Sequence, residues 1–137
     1  MDIMDIGKKF KENSFDCVLA SDIIEHLPKE QGLELLDIME KIAKKKVIIM
    51  TPNGFLQQGE YDNNPFQIHK AGYTAKEFRE KGYKVIGISG LKSLRGEFAI
   101  IKYKPKLFWL LISDLTQLFV KNKPEKAFQL LCMKTIS

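Results

Sequence analysis

Two stretches decide the fold: Phe15-Asp-Cys-Val-Leu-Ala-Ser-Asp-Ile-Ile-Glu-His-Leu27 and, further along the chain, Lys46-Val-Ile-Ile-Met-Thr-Pro-Asn53. Each stretch contains a short apolar run, the form that a strand buried on both faces takes in a parallel sheet. Between them, residues 29–44 carry apolar side chains at helical spacing. The order strand, helix, strand predicts a parallel α/β unit. Sheets of this kind bind ligands at the carboxyl ends of their strands.

Small, polar and acidic residues stand where the first apolar run ends. Ala20, Ser21 and Asp22 close that run, and Glu25 and His26 follow within four positions. Because neighbouring parallel strands end at the same edge of a sheet, these side chains are predicted to share a site there. Asp22 and Glu25 are three positions apart, a spacing that puts both carboxylates on one face where a helix begins.

A polar loop and a short capped helix are predicted next. Residues 56–70 are rich in Gln, Asn and Tyr and have no regular period, and long loops of this kind in compact domains tend to be functional. Thr74 is predicted to cap a helix over residues 75–81, with Glu77 as its capping-box partner. Gly82 then fits the C-terminal end of that helix.

Two further strands and a helical insert complete the predicted order. Strands are expected at residues 83–88 and 127–134, and residues 98–103 form either a short strand or an extended lead into a helix. That helix, over 107–120, lies in an insert of about 106–122. It is too short to cross a bilayer, so no transmembrane segment is predicted. It is either a core or partner-facing helix or an anchor at a membrane surface.

Composition indicates one globular domain over residues 1–137. Apolar residues make up 45% of the chain and charged residues 28%, which argues against disorder. The chain has 22 Lys and Arg residues against 17 Asp and Glu residues, and its net charge of +5 is spread along the sequence. Because the basic residues form no stripe interleaved with aromatic residues, nucleic acid is not expected as a partner.

The N-terminal residues and the cysteines predict a cytoplasmic protein. Met1-Asp-Ile-Met-Asp lacks the basic and apolar regions of a secretory signal peptide. Cys17 and Cys132 both stand in apolar, strand-like runs. We therefore expect buried, reduced thiols there, and neither a disulfide nor a metal pair.

These segments resemble the middle of a class I S-adenosylmethionine (SAM)-dependent methyltransferase of the small-molecule type. The likeness is carried by the phrase Asn13-Ser-Phe-Asp-Cys-Val18 and by Asp22-Ile-Ile-Glu-His-Leu27, an acidic-X-X-Glu-His ending. It continues through residues 46–52 and through the stretch from His69 to Val85, where a helix leads through a Gly-aromatic-X-Val step into the next strand.

The resemblance implies an α/β fold, namely part of a Rossmann-like, seven-stranded methyltransferase sheet with flanking helices. The chain would supply the fourth strand (16–20), the fifth (47–50), the sixth (83–88) and an antiparallel seventh (128–133). The family's first two strands have no counterpart, and no Gly-X-Gly occurs to form its cofactor loop. Glycine is needed in that loop because a side chain would fill the space that the cofactor occupies. We therefore expect a single, truncated methyltransferase domain.

The activity that the resemblance implies is SAM-dependent methyl transfer to a small-molecule acceptor, at oxygen or nitrogen. This chain would supply the acceptor side of the site and would not be self-sufficient. The missing strands would leave the fourth strand as an exposed, flat, apolar edge, which is expected to pair with another chain. The alternative is a non-catalytic remnant or interaction subunit that keeps half of the sheet.

By resemblance, the cofactor SAM would contact both the N-terminal residues and the tip of the fourth strand. Asp2 or Asp5 stands in the place of the acid that contacts adenine, and a solvated tail is the other interpretation of both. Ala20, Ser21 and Asp22 would line the sulfonium end of SAM. Asp22 could instead cap the helix that follows.

Glu25 and His26 are the predicted catalytic residues. His26 is interpreted as a general base near the acceptor oxygen, as a metal ligand, or as a structural partner of Glu25 or of a loop carbonyl. Related enzymes use a similar acidic set to hold magnesium, but imidazole is not a favoured magnesium ligand, so no metal is predicted.

The long polar loop would lie over the acceptor. A lone histidine in such a loop is usually a surface or packing residue, which is the other interpretation of His69. Because polar and aromatic residues occur together, a sugar or another small polar acceptor is favoured. The candidate substrate-binding residues are Asn53, Tyr61, Asn64, His69 and Tyr73.

Overall fold

The computed structural model describes residues 2–137, which form one four-stranded sheet with flanking helices. The strands are β1 (Phe15–Ser21), β2 (Ala43–Pro52), β3 (Lys84–Leu91) and β4 (Ala127–Thr135). The α-helices are α1 (Ile6–Lys9), α2 (Lys29–Ile42), α3 (Ala75–Glu80) and α4 (Lys106–Val120). Short 3-10 helices lie at Ile3–Asp5, Ile24–His26, Pro65–Gln67, Lys92–Leu94, Glu97–Ala99 and Pro124–Lys126.

The sheet is mixed and has the order β1-β2-β4-β3. β1 and β2 are parallel, with Val18 opposite Val47, as the strand-helix-strand pattern predicts. β4 is inserted antiparallel between β2 and β3, which confirms the antiparallel final strand. Its Gln129 lies opposite Pro52, so the start of β4 reaches the edge of the sheet where β1 and β2 end.

The core lies between the sheet and helices α2 and α3. From α2, Leu35, Leu36 and Met39 are buried against apolar strand residues such as Val47 and Ile49. These three helix positions fall on one face because a residue recurs on the same side every three or four positions. The parallel unit is thus held together by the crossover helix that the periodicity predicts.

The ends of α2 differ from the prediction by a few residues. The helix stops at Ile42, and the predicted helical residues 43–44 already belong to β2. Pro28 is the N-cap residue. In α3, by contrast, Thr74 and Glu77 form the predicted capping box, and Gly82 has the positive φ of +86° that suits a helix stop.

Strand β1 lies at an edge of the sheet and is covered on one face only. Val18 and Ala20 pack toward the core, whereas Leu19 is 58% exposed and Phe15 is also exposed. The sequence predicts that β1 is buried on both faces, and this prediction is wrong. Helix α2 covers one face, and no other element among residues 2–137 covers the second. Cys17 is exposed on that second face, so its predicted burial is wrong, whereas Cys132 is buried as expected.

Helix α4 packs on β3 through a narrow contact. Its Ser113 and Val120 are buried, whereas Leu107, Leu115 and Leu118 are exposed on the outward face. Residues 98–103 form no strand: a 3-10 turn at Glu97–Ala99 is followed by an irregular segment that leads into α4. No helix among residues 2–137 has the length and apolar content needed to cross a bilayer.

At Gly87 the strand β3 packs closely against the end of α4, so Gly87→Ala should destabilise the protein. A Cβ there would overlap the carbonyl oxygen of Val120 and lie 2.7 Å from the Ala127 Cβ. Since backbone cannot move aside easily, we expect a loss of about 2 kcal/mol in the free energy of urea unfolding. Gly59→Ala is the matched control, because its Cβ would meet only Glu97 at 3.6 Å. Equal effects of the two substitutions would contradict this packing.

Candidate functional site

The tip of β1 is an unusual turn that carries Asp22. This residue has a φ of +50°, a left-handed conformation that non-glycine residues rarely adopt. Its carboxylate accepts hydrogen bonds from Ser21 Oγ at 3.1 Å and from Gln129 Nε2 at 3.1 Å. The following 3-10 helix has Ile23 as its N-cap and no side-chain cap. The helix-capping interpretation of Asp22 is therefore wrong, and the carboxylate instead ties β1 to β4.

Glu25 is the most tightly enclosed charged group of the site, with 2% of its surface exposed. Thr51 Oγ1 donates a hydrogen bond to Oε2 at 3.0 Å, whereas Oε1 has no hydrogen-bond partner among residues 2–137. Burial, which disfavours the ionised form, raises the pKa of the Glu25 carboxyl from 4.5 to about 7. The hydrogen bond from Thr51 opposes part of that rise.

The loop between β2 and α3, residues 53–74, closes over Glu25. The backbone carbonyl of Glu25 accepts hydrogen bonds from the amides of Lys70 at 2.7 Å and Ala71 at 3.1 Å. Gln58 adds a bond within the loop, from its Nε2 to the Gln67 carbonyl at 3.0 Å. The loop is therefore anchored to the 3-10 helix that follows β1, and it brings His69 back to the site.

His26 and His69 meet edge to face, with ring centroids 4.8 Å apart. The Nδ1 atom of His26 lies 3.2 Å from the carbonyl oxygen of Ile68, and that of His69 lies 2.8 Å from the carbonyl oxygen of Leu56. A carbonyl oxygen only accepts, so Nδ1 is the donor in both hydrogen bonds, and in a neutral ring Nε2 is then the acceptor. Burial lowers the pKa of His69, which favours the neutral ring.

Two cavities lie at this edge of the sheet. The inner cleft has a volume of about 320 Å³, and the outer groove has a volume of about 590 Å³. Asp22 and His26 line both cavities. The inner cleft is further lined by Glu25, Gln58, Gln67, His69, Phe98 and Gln129. The outer groove is further lined by Asp2, Ile3, Leu27, Gln31, Phe66 and Lys70.

The structure separates the two candidate N-terminal acids. Asp2 lines the outer groove and caps a 3-10 turn, its Oδ1 accepting from the Met4 amide at 3.0 Å. Asp5 pairs instead with Lys8 at 2.7 Å on the surface. Of the other predicted cofactor-binding residues, Ala20 is buried and Ser21 is exposed beside Asp22.

Only one of the predicted substrate-binding residues, His69, lines the inner cleft. The Asn53 amide donates to the carbonyls of Pro124, Glu125 and Ala127, which places it in a structural role.

Tyr73 is also used by the fold. Its hydroxyl donates to the Ile24 carbonyl at 3.3 Å, and burial raises its pKa to about 12. Tyr61 and Asn64 lie on the outer part of the loop, where Tyr61 is 65% exposed and Asn64 caps a 3-10 turn. Neither lines the two cavities.

Sequence reasoning missed Thr51 and Gln129. Thr51 stands at the carboxyl end of β2, beside the strand end on which the β1 candidates were selected. Its place at a strand end was therefore a signal that could have identified it. Gln129 is 107 positions from Asp22 and comes from an antiparallel strand. No local pattern links the two, because only the insertion of β4 beside β2 brings them together.

Comparisons with known proteins extend this description. No known family profile matches the sequence. An uncharacterized protein of Methanocaldococcus jannaschii is 25% identical over 119 residues, which cover 83% of this chain and 52% of that protein. The chain therefore spans about half the length of the curated relative that it matches.

Two solved structures share the fold. A SAM-dependent methyltransferase from Archaeoglobus fulgidus superposes with a TM-score of 0.57 at 16% identity, over 98% of this chain and 65% of that one. The small RNA methyltransferase HEN1 superposes with a TM-score of 0.51 at 14% identity, over 99% of this chain and 15% of that one. The fold is that of SAM-dependent methyltransferases. At these identities the likeness establishes the fold and nothing further.

Because the Glu25 carboxylate is buried, Glu25→Gln should stabilise the protein at high pH. The unfolded chain loses this proton near pH 4.5 and the folded chain near pH 7. The carboxyl's contribution to stability is therefore full below pH 4.5 and is lost as the pH rises through 7. We expect the variant to gain up to about 3 kcal/mol over the native chain at pH 8 and none near pH 4.5.

Urea unfolding at several pH values in the presence of EDTA measures this difference. Glu60→Gln, at an exposed loop position, is the control for loss of a carboxylate. If the change in unfolding free energy caused by Glu25→Gln is the same at pH 4.5 and pH 8, the raised pKa assigned to the buried carboxyl is contradicted.

Proposed function

We propose that this chain takes part in methyl transfer from SAM to a small-molecule hydroxyl or amine and that it supplies the acceptor side of the site. One observation carries the proposal: the inner cleft and the outer groove lie next to each other and share Asp22 and His26 as lining residues. In-line transfer needs a donor and an acceptor that approach each other from opposite sides of one point. Two adjacent cavities at the carboxyl ends of β1 and β2 provide such a point.

The outer groove fits part of SAM. The carboxylates of Asp2 and Asp22 both line its wall. A carboxylate can accept hydrogen bonds from an exocyclic amine or a ribose hydroxyl. When bound, SAM would supply an electrophilic methyl group on a cationic sulfonium. The chain would align that methyl and favour its positive charge through Asp22.

The inner cleft suits a small polar acceptor. The amides of Gln58, Gln67 and Gln129 and the ring of Phe98 line it, and its volume lies at the low end of the range for ligand pockets. The acceptor must lose a proton as the methyl arrives. That task falls to Glu25 and His26, which share the cleft wall.

The second candidate is an interaction subunit without catalysis. It is supported by the exposed apolar face of β1, where Leu19 and Phe15 lie at the sheet edge. Such an edge is a template for pairing with another chain. The two candidates differ in whether the outer groove binds SAM, so binding is the property to measure.

Isothermal titration calorimetry with SAM tests the proposal. The chain has no Gly-X-Gly loop, so we expect it to bind SAM no more tightly than the millimolar range when alone. A fusion that adds a methyltransferase strand–Gly-X-Gly loop–helix segment should bind in the micromolar range. Micromolar binding by the chain alone would refute the partial site. No binding by either protein would refute methyl transfer and leave the interaction subunit.

Asp2 and Asp5 provide a matched pair for the same measurement. In the fusion, Asp2→Asn should weaken SAM binding about tenfold, the effect of one charge-assisted hydrogen bond. The asparagine can still cap Met4, so the local fold is kept. Asp5→Asn should leave affinity unchanged because Asp5 faces Lys8 instead of the groove. The reverse order of effects would show that Asp5 is the contact.

A further inference from the structure

Three side chains at the inner cleft converge without bonding to one another. One potential ligand atom from each of Glu25, His26 and His69 lies within 4.8 Å of those of the other two. We infer that these three residues bind a divalent transition-metal ion. Two donor atoms that share one ion lie at most about 4 Å apart, so a small rotation of the side chains completes the set.

The strongest support is the unpartnered oxygen of Glu25. This side chain is 98% buried, Oε2 is held by Thr51, and Oε1 has no partner among the described residues. A buried polar atom of this kind is costly unless something satisfies it. Neither neighbouring imidazole hydrogen-bonds to it, since each uses Nδ1 on a loop carbonyl. A cation between the three groups would satisfy the carboxylate and both free Nε2 atoms at once.

The loop carbonyls already arrange both histidines as metal ligands. A metal-binding imidazole typically donates its second ring N–H to a carbonyl or carboxylate, which fixes the tautomer and the ring plane. The carbonyl oxygens of Ile68 and Leu56 do this for His26 and His69. Glu25 and His26 are adjacent in the chain, whereas His69 comes from the loop over residues 53–74, so the set of three is assembled only in the folded protein.

The donor types select the class of metal. Two imidazoles and one carboxylate suit Zn²⁺, Mn²⁺, Co²⁺ or Ni²⁺, whereas Mg²⁺ and Ca²⁺ prefer oxygen ligands. Three protein ligands leave coordination positions open, as in catalytic sites. All three residues line the inner cleft, so the open positions face the space assigned to the acceptor. A Lewis acid there would make an acceptor hydroxyl more acidic. Glu25 and His26 would then both act as ligands rather than as bases, and the proton of the acidified hydroxyl would pass to water.

Cobalt provides the direct test on the full chain, purified without a polyhistidine tag and treated with EDTA. We expect Co²⁺ to bind with 1:1 stoichiometry in the micromolar range or tighter, to develop visible d–d absorption, and to be displaced by Zn²⁺. His69→Ala and Glu25→Gln should each weaken binding at least tenfold. Cys17→Ser should leave it unchanged, which excludes the exposed thiol as the ligand.

Three results would overturn the site. They are the absence of 1:1 Co²⁺ binding, full affinity in both the His69→Ala and the Glu25→Gln variants, and tighter binding of Mg²⁺ than of Co²⁺. Circular dichroism of the metal-free variants checks that they fold, and Glu25→Gln should remain folded because it relieves a buried charge. Metal binding does not require SAM, so a protein that binds Co²⁺ but fails the SAM titration would retain this site and lose the proposed function.

Discussion

The site depends on the enclosure of one residue, Glu25. Its backbone carbonyl holds the amides of Lys70 and Ala71, so the loop over residues 53–74 closes on it from above. Its carboxylate is held from below by Thr51 at the end of β2. Because the loop is fixed at this point, His69 returns to His26 and the inner cleft takes its shape. Removing water from a carboxylate is the physical cost of that closure.

The fold was largely predictable because its signals are local. The apolar runs of β1 and β2, the periodicity of α2 and the pair Thr74 and Glu77 each specify structure within a few residues, and each is found where expected. Local hydrophobicity cannot say what covers a strand, however. Leu19 is apolar and yet exposed, because cover depends on elements far away in the sequence.

The site was predictable in part, for a similar reason. Glu25 and His26 stand beside a strand end and could be selected from the sequence, and His69 stood out in the polar loop. Their convergence could not be foreseen, because it depends on the path of that loop. Asn53 and Tyr73 were selected as polar or aromatic loop residues, but both have structural roles. Asn53 donates hydrogen bonds to backbone carbonyls near the start of β4, and Tyr73 packs against α2.

The stability of the fold and the proposed metal site are linked through the buried Glu25 carboxylate. Without a cation, an ionised Glu25 destabilises the fold at neutral pH, since burial raises its pKa to about 7. A bound cation reverses the sign of that contribution, because the binding free energy adds to the stability of the only state that assembles the ligands. The unpartnered Oε1 of Glu25 is the atom that a bound cation would satisfy.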